Sequence, residues 1–479
     1  MNHAPSSPAR PAPAGPNLEK LALWHTGLML LFASWVFGGN IGWARTVIAL
    51  WGAGGILLTV AALFQSGERG RDARCRAWAL LPWVIFGALT LASCLNPSFQ
   101  PITIEGQPLL VHLGAAHPTL PSTVNPALTF ATWAFTAGAY LSAFNLWLVV
   151  RHRRPLRLLF LAAALNTLVL AIFGTVQKLL GRGFYFGLST SPNPRYFATF
   201  IYYNHWGAFM VLFLAVTIGL LFHSARRILP RARDLWHSPF TAALAAAIFI
   251  AASAPVSASR SATALAAIVA TIATGQALWH IANVRRVQGR AAWPPILAVL
   301  LLGTATTGAV GWLAHHSITE RVADTREALA AHESLLAGRE RLYRDTWTLA
   351  LQQPAFGWGL ESYGTAFMLI RPRSIFLDRQ YESSYVKAHS DWLQAIAETG
   401  FVGTACLLLM GLVPLAGLRW RMLRHPLVGY PLLGCGLVAL YAWVELPFAN
   451  GAVLIGFWTL FFAALAYARL DRKSGGPTA

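Results

Sequence analysis

Apolar residues run along this chain in long blocks, not in the short stripes of a soluble domain. Twelve blocks stand out, near residues 20–38, 46–65, 77–95, 127–150, 157–179, 199–222, 239–256, 262–284, 293–314, 392–418, 426–446 and 452–468. A helix needs about 20 apolar residues to cross the hydrocarbon core of a bilayer. The blocks therefore predict an all-α integral membrane protein of about 12 transmembrane helices. Helices 7 and 8 are separated only by "VSASRSA", which predicts a tight hairpin. No repeat of fixed period is present. The expected organisation is a disordered cytoplasmic tail over 1–19, transmembrane helices 1–9 over 20–314 and a periplasmic loop domain over 315–391. Transmembrane helices 10–12 over 392–468 and a cytoplasmic tail over 469–479 complete it.

Composition agrees with the pattern. Hydrophobic residues make up 56% of the chain and charged ones 11%, against about 25% charged in a soluble protein. The formal net charge of +19 could suggest a nucleic-acid partner, but its distribution argues otherwise. With the N-terminus inside, every second connection is basic: "GERGRDARCR", "RHRRPLR", "RRILPRAR", "RRVQGR", "RWRMLR" and the tail "RLDRK". That side holds 23 of the 37 Lys and Arg but only 5 of the 18 Asp and Glu. This asymmetry orients membrane proteins, so no nucleic-acid partner is implied and both termini are expected in the cytoplasm. The first apolar block is of full span length and follows a long polar tail, which argues against a cleaved signal peptide. The four cysteines share no outer loop, so no disulfide is expected, and none has zinc-site spacing.

Chemistry is then expected on the outer side. Segment 96–126 is polar, Pro-rich and nearly uncharged and 180–198 is of medium length, whereas 315–391 carries nine basic and ten acidic residues. The stretch "ITERVADTREALAAHESLLAGRERLYRDTWTLALQQP" has helical spacing, and the turn-prone "PAFGWG" ends it. Two amphipathic helices, a glycine turn and a further helix near 362–370 predict a helical periplasmic cap between helices 9 and 10. His389 lies where this cap returns to the membrane. Arg260 lies in the "SASRSA" turn, and "GRERLYRDTW" supplies Arg339, Arg341 and Arg344. In "SPNPRYFATFIYYNHWGAF", Arg195 precedes Asn204 and His205.

Arginines gathered at one face suit a diphosphate, because the guanidinium fork pairs with phosphate oxygens and stays charged. A neutral histidine is the usual base for a hydroxyl. Together they would suit attack of a sugar hydroxyl on a sugar carried by a lipid diphosphate. Such a leaving group needs no metal once its charge is stabilised, and the outer loops contain no D-x-D pair. Simpler roles compete. A lone interfacial histidine is more often an anchor, Arg260 could contact lipid headgroups, and arginines alternating with acids often form a solvated helix face. Glu398, inside a span, reads as structural, and Gly400 and Gly403 as sites of close helix approach.

"HSDWLQAIAETGFVGTACLLL" resembles the late-span signature of the O-antigen ligase and O-antigen polymerase superfamily. "TFIYYNHWGAF", "SASRSA" and "AGRERLYRDTWTLALQQPAFGWGLESYG" resemble three further motifs of that family, in the same order. The resemblance covers roughly 195–418. Ser390 and Ser261 stand where the family often has Asn and Gly, which leaves the subfamily open. The resemblance implies a bacterial inner-membrane, multi-pass glycosyltransferase with its active site on the periplasmic face. It implies an undecaprenyl-diphosphate-linked glycan donor, no cofactor, no metal and no nucleotide sugar. The acceptor would be lipid A core, a second lipid-linked glycan or a protein hydroxyl, and membrane lipids surround the chain. In the family pattern His389 is the base, Arg260 and Arg339 bind the diphosphate, and Arg195, Arg341 and Arg344 are further candidates. The alternative class is a polytopic transporter or lipid-linked sugar flippase, which would place polar or broken helices at the bilayer midplane and show related halves.

Overall fold

A computed structural model describes residues 17–104, 107–228, 237–313, 315, 319, 337–370 and 387–474. The predicted amphipathic helix ahead of residue 337 and the segment 371–386 lie outside the described residues, as do most of the tails. The long helices are α1 (Leu18–Trp35), α2 (Gly42–Leu63), α3 (Gly67–Ala77), α4 (Leu81–Cys94), α5 (Pro126–Val149) and α6 (Arg153–Leu179). They continue as α7 (Tyr203–Ile228), α8 (Pro239–Val256), α9 (Arg260–Val287) and α10 (Trp293–Leu313). The set closes with α11 (Ala337–Gln352), α12 (Asp391–Leu415), α13 (Pro426–Tyr441) and α14 (Gly451–Ser474).

All twelve apolar blocks fall on helices, and among the described residues eight segments combine the length and hydropathy needed to cross a membrane. The helix α5 is not among the eight because three Thr, Ser142 and Asn145, with two Trp and a Tyr, dilute its many Ala and other apolar residues. Those small and weakly polar residues let it sit in the middle of the bundle, with most of its second half buried. Its backbone nearly touches α2: a Cβ on Gly52 would stand 2.3 Å from the Cα of Gly138. Close approach of small residues with hydrogen bonds between helices is a common way to pack helices in lipid. Here Asn145 donates to the Gly55 carbonyl at 2.7 Å and accepts from Thr59 at 3.0 Å.

Three features differ from the sequence expectation. Segment 96–126 contains a β-hairpin, in which Phe99–Ile104 pairs antiparallel with Gln107–His112. Its alternating "FQPITI" and "PLLVH" is a strand pattern, so the fold is mostly rather than entirely helical. Phe99, Val124, Leu342, Leu349, Trp358, Tyr363 and Ala397 form a second apolar core that joins this segment to α11 and α12. Next, the block 426–446 ends as a helix at Tyr441, because Pro447 and the polar demands of Glu445 turn the chain into an irregular segment over 442–450.

The third difference concerns Gly400. It does not serve close helix approach; it breaks α12, with φ 64° and ψ −175°. That region of backbone space is essentially open only to glycine. The segment Pro354–Gly359 docks into the break. Trp358 N–H donates to Ala397 O at 3.0 Å and Gly359 N–H to Glu398 O at 2.7 Å. In return Phe401 N–H donates to Pro354 O at 2.8 Å and Val402 N–H to Ala355 O at 3.1 Å. Every backbone group freed inside an apolar region needs such a partner. The Glu398 carboxylate completes the joint, accepting from Tyr363 N–H and from Gln394.

Candidate functional site

One end of the bundle gathers the turns after α1, α8 and α13, the hairpin, and the segments leading into α7 and α12. His389 sits here, immediately before the α12 N-cap Ser390, whose hydroxyl accepts from Leu393 N–H at 3.3 Å. Its φ of 51° lies in the left-handed region, uncommon for a residue with a side chain. The turn is held in that conformation from two sides. Tyr343 of α11 donates its hydroxyl to the His389 carbonyl at 3.0 Å. Asp391 N–H donates to Glu445 O at 3.2 Å, and the Asp391 carboxylate accepts from Phe448 N–H at 2.7 Å. The chain after His389 is thus fixed to the 442–448 segment and Ala388 N–H to the Gln394 side chain, while the imidazole is left half-buried, its Nδ1 buried with no hydrogen-bond partner among the described residues.

Glu445 is the hub of the site and is 4% exposed. Its carboxylate accepts from the Arg339 guanidinium at 2.8 Å and from the Asn204 amide at 3.0 Å. A second Arg339 nitrogen donates to Val444 O at 3.0 Å. Asn204 accepts from Ser259 at 2.6 Å, and Ser259 also caps α9 through Ala262 N–H at 3.2 Å. Ser261 and Tyr441 share a hydrogen bond of 2.8 Å. His205, buried and packed edge-on to Tyr202, is hydrogen-bonded to the Leu446 backbone. Four segments distant in sequence therefore meet in one chain of contacts, Arg339–Glu445–Asn204–Ser259.

The electrostatics follow from this geometry. Burial lowers the His389 pKa, the nearby Arg339 charge lowers it too, and Glu445 acts in the opposite sense; the net shift is downward. The imidazole is therefore neutral at pH 7, the state in which it can take a proton. Burial draws the Arg339 pKa down, and Glu445 more than offsets it, so the guanidinium stays charged. Two polar atoms at the hub, His389 Nδ1 and Glu445 Oε2, are buried with no partner among the described residues. Buried polar atoms are nearly always satisfied, so such a pair marks a place for a ligand hydroxyl or a water.

The sequence-predicted residues divide clearly. His389 and Arg339 converge on Glu445. Arg260 is the exposed first residue of α9, held between Ser259 and Ser261, both bonded to the hub network. Arg195 is exposed, and its carbonyl accepts from Tyr203 N–H at 2.9 Å, closing the turn that presents Asn204. Arg341 is exposed on α11, and Arg344 is turned to Glu340 at 2.8 Å on a solvated face. Helical spacing explains the split, since Arg339 and Tyr343 are four residues apart and share a face that Arg341 cannot reach.

Sequence reasoning missed Glu445. Its signal was present: it is the only acidic residue between Glu398 and Asp471, at the end of an apolar run. An acid in that setting is costly unless paired. Two more residues with side chains in the left-handed region stand beside the site, Ala258 at φ 63° and Ala198 at φ 50°. Backbone strain of this kind collects where a turn must place particular groups. Among the described residues, no group of three or more His, Cys, Asp or Glu could hold a metal ion.

The family model described as O-antigen ligase matches residues 198–408. The match takes in Asn204, His205, Arg260, Arg339 and His389 and stops short of Glu445. No curated protein matches the chain.

Proposed function

With residues 198–408 identified as an O-antigen ligase domain in a bacterial membrane protein, we propose that this protein moves a glycan from undecaprenyl diphosphate to a hydroxyl acceptor, with His389 as base and without a metal. The acceptor hydroxyl attacks the anomeric carbon of the lipid-linked sugar and loses its proton to His389. The bond from that carbon to the diphosphate oxygen breaks, and undecaprenyl diphosphate departs as an anion. Arg339 and Arg260 stabilise the departing charge. Arg339 can do so while bound to Glu445, because the guanidinium carries five donors and the pair uses only some of them. Glu445 holds the fork in one orientation, which lowers the reorganisation needed as charge develops.

The observation that carries this reading is the meeting of a neutral, half-buried histidine and a fixed arginine at one carboxylate. The acceptor is lipid A core, a second lipid-linked glycan or a protein hydroxyl. The reaction is placed on the periplasmic face of the inner membrane, with both chain ends in the cytoplasm. The test is glycan transfer by purified protein, in vesicles loaded with lipid-linked glycan, comparing wild type with His389→Ala and Arg339→Ala. Both variants are expected to lose transfer while remaining folded, and EDTA is expected to leave the wild type active. Full transfer by both variants overturns the assignment.

A transporter would share one feature, the broken helix α12. In transporters the freed backbone groups line the ion or substrate path. Here Ala397, Glu398, Phe401 and Val402 give theirs to Pro354–Gly359, so the break is a joint between segments and offers nothing to a passing ion.

A further inference from the structure

The end of the bundle opposite the candidate site gathers the turn between α2 and α3, the turn between α5 and α6, and the close of α14. Helix α5 relates the two ends. It starts beside the docked segment, where Thr129 donates to Leu360 O at 2.8 Å, and it finishes in this corner. Arginines hold its last turn. Arg76 donates to Leu148 O at 2.6 Å, and Arg469 donates to Trp147 O at 2.9 Å and to Val150 O. Arg151 pairs with Asp72 and donates to Arg69 O at 3.1 Å. Arg69, Asp72 and Arg76 recur at i, i+3 and i+7, so they share the face of α3 that meets this turn.

The corner is over-supplied with positive charge. Arg76, Arg151 and Arg469 lie close enough to repel one another. Arg76 Nε is buried there with no partner among the described residues. Arg154 and Arg157 follow in the first turns of α6, and their side chains form no hydrogen bond or ion pair among the described residues. The described acids nearby are Asp72, held by Arg151, Glu19, held by His152 at 2.9 Å, and the exposed Glu68. Below Arg154 on the same helix stand Leu158, Leu161, Leu165 and Val169, all exposed. Steps of three and four residues put them on one face. Arg154 and Arg157 therefore cap the apolar stripe that α6 turns toward lipid.

We propose that this corner is a binding site for an anionic phospholipid, whose phosphate lies at Arg154 and Arg157 and whose chains lie along the Leu158–Val169 stripe of α6. The guanidinium fork suits a phosphate, and basic residues at the membrane surface draw anionic headgroups. A free phosphate would use the arginines alone, whereas a lipid uses both the arginines and the stripe beneath them. The bound headgroup offsets the mutual repulsion of the arginines that close α5. Occupancy of this corner does not depend on glycan transfer.

The experiment uses the full chain, stripped of lipid in detergent, with phosphatidylglycerol, phosphatidylcholine and inorganic phosphate as probes. Native mass spectrometry reads bound lipid, and thermal unfolding reads its effect. Wild type is expected to hold phosphatidylglycerol roughly tenfold more tightly than phosphatidylcholine, and to melt at a higher temperature with it. Arg154→Gln combined with Arg157→Gln is expected to bring phosphatidylglycerol to the level of phosphatidylcholine. Its melting temperature in phosphatidylcholine should match wild type, because neither side chain holds another described residue. Arg419→Gln with Arg421→Gln removes the same charge from the exposed connection before α13 and is expected to keep the preference. Equal binding of the two lipids by wild type overturns the site. So does a preference that survives in the α6 pair, or one that falls equally in the control pair, which makes it an effect of net charge. An equal rise in melting temperature with inorganic phosphate alone overturns the lipid and leaves a free-anion site. Should the α6 pair not fold, Arg154→Gln alone decides the matter, with an expected loss of preference of about threefold.

Discussion

Arg339 and Glu445 stand 106 positions apart in the chain and 2.8 Å apart in space, one from the segment before α12 and one from the turn after α13. The pair closes the site from opposite sides. Because Arg339 is 43% exposed and Glu445 is 5% exposed in their side chains, the carboxylate is the member that cannot turn to water. Removing Arg339 therefore leaves a buried acid short of a partner, whereas removing Glu445 releases an arginine that can find solvent.

Glu445→Gln keeps a group that can accept from Asn204 and removes the charge that orients Arg339. It is expected to lower transfer by about 10- to 100-fold, less than the roughly 10²–10³ lost when a stabilising donor is itself removed, with a stability loss of about 1–2 kcal/mol. Initial rates and thermal unfolding of the purified variant check both. A rate within twofold of wild type removes Glu445 from the mechanism.

His389→Ala is expected to reduce transfer by about 10²–10⁴, the usual contribution of a general base. The wild-type rate is expected to rise with pH through the His389 pKa and then level off, because only the neutral imidazole accepts a proton. Burial and Arg339 set that pKa below the ordinary histidine value, so the rise falls on the acid side of about 6.5. A rate that is flat from pH 5 to 7 under saturating donor, or an inflection above the ordinary value, contradicts the assignment.

Arg344 separates a solvated face from the site. Its pair with Glu340 is exposed on both sides, and such helix pairs contribute about 0.3–0.5 kcal/mol. Arg344→Ala is expected to leave both stability and transfer close to wild type, while Arg339→Ala abolishes transfer. Equal losses in the two variants would place the donor on a different face of α11.

Gly400 and Gly411 share a helix and make opposite predictions. A Cβ on Gly400 would meet Ala355 O at 2.3 Å in a backbone region closed to other residues, whereas one on Gly411 meets nothing within 4 Å. Gly400→Ala is expected to cost about 3 kcal/mol or more, combining strain with loss of the docked segment. Gly411→Ala is expected to be neutral or stabilising by up to about 1 kcal/mol. Melting temperatures of the two variants in the same detergent decide the matter.

Much of the architecture was legible because the bilayer demands long apolar helices, and the chain announces them as blocks. The tight turn before Arg260 was equally plain, with three residues, Ser257 to Ser259, between α8 and α9. His389 and Arg339 could be singled out because titratable groups at a membrane boundary are few. The partners they meet were harder to see. Glu445 lay inside what reads as a continuous span, and hydropathy alone does not register a helix that stops at Tyr441. Arg341 and Arg344 differ from Arg339 only by the face of one helix, which depends on packing. The β-hairpin was hidden because its strands are short and carry proline.

The joint between Pro354–Gly359 and α12 also sets an order of assembly. The ribosome delivers the docking segment first and the interrupted helix some forty residues later. A helix entering lipid with a gap in its ladder is poorly solvated there unless the earlier segment is already waiting. Biogenesis of this half of the molecule is therefore sequential, and a cut or insertion between the two segments should harm membrane insertion before it harms chemistry.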